Sequence, residues 1–218
     1  MFAKWIFFDL WWTLVDESQA HISRLERVLP FLSKLGIERS TTDLFADCVA
    51  SATEFAESPY WGVLKKYGLS DDQLNQAKRI APYAKADEQL YQGVEVLLGE
   101  LSTKYNLGII ANQSAGTLRR LEIWGIRNYF TLVFASHEAG LSKPDPQIFE
   151  AALSKAACEP SEAVMIGDRL DNDIGPANAA GWKTVRVLQG FSHNQVPRNE
   201  TEIPFHIAEN ITDISSFL

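Results

Sequence analysis

Five short apolar runs, at residues 5–8, 107–111, 132–135, 163–166 and 184–187, constrain this chain more than any other feature, because several are continuous rather than alternating. A strand solvated on one face alternates apolar and polar residues. A continuous run is what a parallel strand covered on both faces requires. Segments with helical periodicity separate the runs, at about 94–105, at 115–124, from 146 onward and at about 172–180. The second and fourth stop at Gly125 and Gly181, residues suited to the position just past a helix end. The third opens with Asp145 as N-cap and Pro146 at the first helical position, and places Ile148, Phe149, Ala152 and Leu153 on one face. This alternation predicts an α/β fold, a doubly wound parallel sheet.

The stretch from about residue 15 to 90 breaks the alternation. It contains no convincing strand. Ser40 with Asp43, and Ser70 with Gln73, have the spacing of capping boxes, and Leu44, Cys48 and Phe55 fall on one helical stripe. The stretch could be a helical region of a single domain. We read it instead as an all-helical insert, because the strand pattern resumes after it. The expected organisation is therefore a core of residues 1–14 and 90–218 and a helical unit of residues 15–89. The polar, Pro-containing segment 191–204 reads as loop before a short terminal element.

Composition narrows the function classes. With 218 residues and 46% hydrophobic content, the chain can bury one substantial core or a core plus a smaller insert. The net charge is −8 and no Lys/Arg run occurs, which argues against nucleic acid or an anionic membrane surface as partner. No apolar run reaches the length of a membrane span. The N-terminal segment Met1 to Phe8 reads as a buried strand rather than a leader, because Asp9 interrupts it early. The two cysteines, Cys48 and Cys158, lie far apart and have no neighbouring His. They read as packing residues, and the expected location is a reducing one, the cytoplasm.

In a doubly wound sheet, ligands bind at the carboxyl ends of the strands. The residues just after the apolar runs are therefore the candidates. They are Asp9 after the first, Asn112 after the second, Lys143 beyond the third, and Asp168 with Asp173 after the fourth. Taken singly, each Asp could be a turn former or helix cap, and Lys143 a solvated surface residue. Together, three carboxylates, a lysine and an amide would converge on one edge. Crowded carboxylates need a cation, and Mg²⁺ favours such oxygen ligands together with water and substrate phosphate.

The same residues resemble the motifs of the haloacid dehalogenase superfamily of hydrolases. Phe7-Phe8-Asp9-Leu10-Trp11-Trp12-Thr13-Leu14 is similar to its first motif, Leu107 to Asn112 to its second, Lys143-Pro144-Asp145 with Phe149 to its third, and Gly167 to Asp173 to its fourth. The resemblance implies a Rossmann-like core, with the helical insert acting as a cap that closes over the site and selects substrates. It implies that Asp9 is a nucleophile forming an aspartyl intermediate and that Lys143 pairs with Asp9 and with substrate charge. It implies Mg²⁺ held by Asp9, the Trp11 carbonyl and Asp168, with Asp173 in support. Thr13 would orient the Asp9 loop, and the backbone N–H of Asn112 would contact the transferring group of a small phosphorylated substrate.

Two positions depart from the pattern. Phosphatases of the superfamily carry a second Asp two residues after the nucleophile, which serves as general acid and base; here that residue is Trp11, a neutral donor. The second motif places a hydroxyl where this chain has Ala111. We therefore expect a slow, Mg²⁺-dependent phosphatase favouring good leaving groups. A binding protein for a phosphorylated ligand is the alternative. Cleavage of C–halogen bonds ranks behind it, as does cleavage of C–P bonds with Lys65 or Lys66 as the required cap lysine.

Overall fold

The computed structural model describes residues 3–218; Met1 and Phe2 of the N-terminal run lie outside the described residues. Strand β1 (Trp5–Phe8) leads through a tight loop to the two-residue strand β2 (Val15–Asp16). Four helices follow: α1 (Ser18–Lys34), α2 (Thr41–Thr53), α3 (Pro59–Lys66) and α4 (Asp71–Ile80). A second two-residue strand, β3 (Gln89–Leu90), pairs with β2. The chain then alternates through α5 (Val94–Ser102), β4 (Asn106–Ala111), α6 (Thr117–Ile123), β5 (Phe130–Ala135), the short α7 (Ser136–Ala139), α8 (Pro146–Ala156) and β6 (Ala163–Gly167). A single π-helical turn at Leu170–Ile174 precedes α9 (Gly175–Ala179), β7 (Lys183–Val187) and β8 (His206–Ala208).

Six strands form one parallel sheet in the order β5-β4-β1-β6-β7-β8. The fold is thus α/β with a doubly wound sheet. The continuous apolar runs explain why: both faces of β1 are buried. Ile6 and Phe8 join a core with Ile109, Val164, Ile166 and Leu98 on one side, while Trp5 and Phe7 join Ile148, Phe149, Met165 and Trp182 on the other. Gly108 is required where β4 passes Phe7, since a Cβ there would lie 2.4 Å from the ring.

The chain divides into two compact units, one of residues up to Val15 with Leu90–Gln189 and Val196–Leu218, the other of Asp16–Gln89 with Gly190–Gln195. In the second unit both capping boxes form: the Ser40 and Ser70 hydroxyls accept from the backbone of Asp43 and Gln73, whose side chains accept in return. Arg24 lies with its guanidinium 3.7 Å from the centre of the Tyr60 ring and donates to the Ala81 carbonyl. The buried Cys48 is a packing residue, its thiol pushed up to about 12 by burial.

Three readings need correction. Residues 190–195 belong with the helical unit, because Phe191 is buried against Phe45 and His21 and the Gln195 amide donates to the Ala52 carbonyl. The polar tail is not plain loop: it contains β8, the edge strand of the sheet. The segment expected as a helix from about 172 begins as the wider turn at Leu170–Ile174, which aims Asp173 back toward β6. Among the described residues, no helix is long and apolar enough to cross a membrane.

Candidate active site

The Asp9 loop is built from the backbone outward. The Asp9 N–H donates to the Ile166 carbonyl at 2.9 Å, continuing the pairing of β1 with β6 past the strand end. The Leu10 carbonyl then accepts from the backbone N–H groups of Thr13, Leu14 and Val15, and the Trp12 N–H donates to the Val15 carbonyl. This tight turn forces Trp12 to a φ of 56°, the left-handed region, although it is not glycine. Such a conformation costs about 1–2 kcal/mol for a residue with a side chain. Trp11 is half-buried and packs against the core face containing Phe8. The Thr13 hydroxyl is fully buried within the turn.

Lys143 comes from the loop between α7 and α8. Asn112, at the end of β4, holds that loop: its side-chain oxygen accepts from the Lys143 N–H at 2.8 Å and its amide donates to the Lys143 carbonyl at 2.7 Å. The Lys143 ammonium, 4% exposed, thereby sits 2.7 Å from Asp9 Oδ1 and 2.5 Å from Asp173 Oδ1. Burial works against the ammonium, but Asp173 and Asp9 outweigh it and hold its pKa above the ordinary lysine value.

The third side of the site is the turn after β6. Gly167 has no room for a side chain: a Cβ would lie 2.4 Å from Asp173 Cγ. The second oxygen of Asp173 accepts from the Arg169 N–H at 3.0 Å. Burial and the nearby Asp9 charge raise the Asp173 pKa, with Lys143 opposing them. Arg169 itself is held by Asp171 through two charge-assisted hydrogen bonds of 3.0 and 2.7 Å. Oxygen atoms of Asp9, Asp168 and Asp173 all lie within 4.8 Å of one another.

The sequence candidates thus fall into two groups. Asp9, Lys143, Asp168 and Asp173 converge directly. Asn112 reaches the site through the Lys143 backbone, while Trp11 and Thr13 shape the Asp9 loop. Sequence reasoning missed the Asn112 clamp and Arg186. Arg186 is buried beside Gly167 in the β6–β7 register and donates to the Asp168 carbonyl at 3.3 Å. Its signal was a charged residue inside an otherwise buried strand, a position that arginine seldom takes without a polar partner.

The haloacid dehalogenase-like hydrolase family matches residues 6–187, from β1 through the end of β7. The chain belongs to that family. The relatives cover it unevenly. The glyceraldehyde 3-phosphate phosphatase of Methanopyrus kandleri is 45% identical over 80 residues, 37% of this chain and 34% of that protein. The human N-acylneuraminate-9-phosphatase is 23% identical over 98% of this chain and 92% of its own length. The chain spans about a third to two thirds of the length of the first curated relatives it matches. Among solved structures, the HAD hydrolase YfnB of Bacillus subtilis, crystallised bound to magnesium, shares the fold with a TM-score of 0.71 at 20% identity, over 99% of this chain and 98% of that one.

Proposed function

We propose that this member of the family is a Mg²⁺-dependent phosphatase acting on a small phosphorylated substrate, with Asp9 as nucleophile. The observation that carries the reading is the Lys143 ammonium shared by Asp9 and Asp173 within a cluster of three carboxylates. The cluster meets the Lys143 ammonium at Asp9 and Asp173 and the charges of Arg169 and Arg186 at Asp168. Its all-oxygen donor set suits a hard divalent cation, which Asp9, Asp168 and the Trp11 carbonyl would hold with Asp173 in support. The cation would draw charge from the phosphoryl oxygens as the bond to the leaving group breaks.

The side chains then have distinct tasks. Lys143 fixes the attacking oxygen of Asp9 and meets negative charge on the substrate. The Asn112 side chain fixes Lys143, leaving its backbone N–H to contact the phosphoryl group. Thr13 supports the turn that presents Asp9. The helical unit would act as the cap that selects the substrate, in a cytoplasmic protein. Trp11 and Ala111 favour a second reading, a phosphate-ligand binder with little turnover, since the indole cannot exchange a proton and Ala111 lacks a hydroxyl.

Purified protein, assayed with phosphate esters, acyl phosphates and 2-haloacids in Mg²⁺ or chelator, separates the readings. We expect Mg²⁺-dependent release of phosphate from activated substrates, abolished in Asp9→Asn. Turnover that survives Asp9→Asn, or halide release without Mg²⁺, would overturn the assignment.

A further inference from the structure

The Asp9 loop supplies what the first half of a phosphoryl transfer needs and omits what the second half needs. In the first half, an Asp9 oxygen attacks phosphorus, the bond from phosphorus to the leaving oxygen breaks, and the leaving group departs with the electron pair. When that group is a stable anion no proton has to move. In the second half, water attacks the same phosphorus, the bond to Asp9 breaks, and the carboxylate recovers its electron pair. Here water must lose a proton, and the step needs an acceptor.

The loop offers none. Between Asp9 and Asp16 the chain reads Leu10-Trp11-Trp12-Thr13-Leu14-Val15, without a titratable side chain. Trp11 packs against the core, and an indole only donates. The neighbouring groups are committed. Lys143 is a cation held by two carboxylates, and Asp173 spends one oxygen on Lys143 and the other on the Arg169 N–H. Asp168 belongs to the carboxylate cluster that suits a cation.

We propose, resting on the reading above, that phosphorylated Asp9 accumulates: the protein takes a phosphoryl group from an activated donor quickly and returns it to water slowly. Its working form is then a long-lived phosphoaspartyl protein rather than a rapidly cycling phosphatase. General-base help is worth about 10²–10⁴-fold, and with an activated donor it is withheld from dephosphorylation alone.

The test uses the whole protein with Mg²⁺ and p-nitrophenyl phosphate in stopped flow. The expected trace is a burst of nitrophenolate equal to the enzyme concentration, followed by a steady rate at least about a hundredfold slower. Intact mass after quenching should show one added phosphoryl group, mapped to Asp9 and removed by hydroxylamine, as an acyl phosphate is. Trp11→Asp with Ala111→Ser should shorten the lifetime of the adduct, whereas Trp11→Asn with Ala111→Ser, which opens the same space without a base, should not. Linear turnover with no burst and no adduct would overturn the accumulation while leaving Asp9 as nucleophile. Turnover that is equally fast in Asp9→Asn would overturn the underlying reading itself.

Discussion

Replacing Lys143 by Met tests the charge balance of the site directly, because Met keeps much of the length of lysine and removes only its charge and donors. Asp9 is 9% exposed and Asp173 fully buried, and each has an oxygen within hydrogen-bond distance of the Lys143 ammonium. Without it the two carboxylates face one another across a site with little water. Removing one partner of a buried ion pair costs about 3–5 kcal/mol, which raises the unfolding constant by about two to nearly four orders of magnitude. A divalent cation bound to the same carboxylates should return part of that loss. Urea unfolding of Lys143→Met should therefore show a large deficit in chelator and a smaller one in millimolar Mg²⁺. Adding Asp173→Asn removes one of the opposed charges, so the double variant should be more stable than the sum of the single losses, by about 0.5–3 kcal/mol. If Lys143→Met unfolds in chelator at the same urea concentration as wild type, or if the two losses simply add, the ammonium does not balance these carboxylates.

Three further outcomes follow from the geometry. Saturating Mg²⁺ should raise wild-type stability by about 2.7 kcal/mol at a hundred times its dissociation constant; calorimetry should find this gain absent in Asp168→Asn, and a gain that persists there would remove Asp168 from the cation site. Gly167→Ala must displace Asp173, whose Cγ lies 2.4 Å from the added Cβ, so the variant should lose most of its Mg²⁺-dependent melting shift; an unaltered shift would show that Asp173 does not support the ion. Burial, aided by Arg24, lowers the pKa of His21 to about 3, among Glu17, Tyr83 and Phe191. The unfolded chain, with an ordinary His near 6.5, then takes up a proton that the folded chain refuses, so stability falls as pH drops below about 6.5 and the contribution at pH 5 is a loss of about 2 kcal/mol. His21→Gln should flatten the slope of urea midpoints between pH 7 and 5, and equal slopes would refute the burial argument.

The fold was legible where burial wrote itself into composition. Five strands of the sheet show as short apolar runs, several of them continuous because helices cover both faces, and the Ser40 and Ser70 boxes show in residue type and spacing alone. The sixth strand, His206-Ile207-Ala208, was not legible. It is three residues long and lies at the sheet edge with Ile207 half exposed, so it has no need of an apolar run. Phe191 misled for a related reason: one aromatic in a polar segment carries no period, yet its ring is buried among Phe45 and His21. At the site, Asp9, Asp168, Asp173 and Lys143 could be read because the carboxyl end of a parallel strand is a place that topology fixes. The Asn112 clamp could not, since a side chain pairing with both backbone groups of a residue 31 positions away leaves no spacing to detect.

Several features that oppose stability in this unit gather at one edge of the sheet. Three carboxylates cluster there, two of them on a single lysine, and the pKa of Asp173 is raised because burial and Asp9 disfavour its charge. Trp12 holds a left-handed backbone in the same loop, and Arg186 is buried against the Asp168 carbonyl at the cost of a lowered pKa. Local rules are broken together where function demands it, and here they are broken at the carboxyl ends of β1 and β6, the two strands flanking the point where a doubly wound sheet reverses its order. The asymmetry within the edge is as telling. Carboxylates and cationic side chains crowd one side of the Asp9 loop, while position 11 carries an indole, which donates a hydrogen bond but takes up no proton.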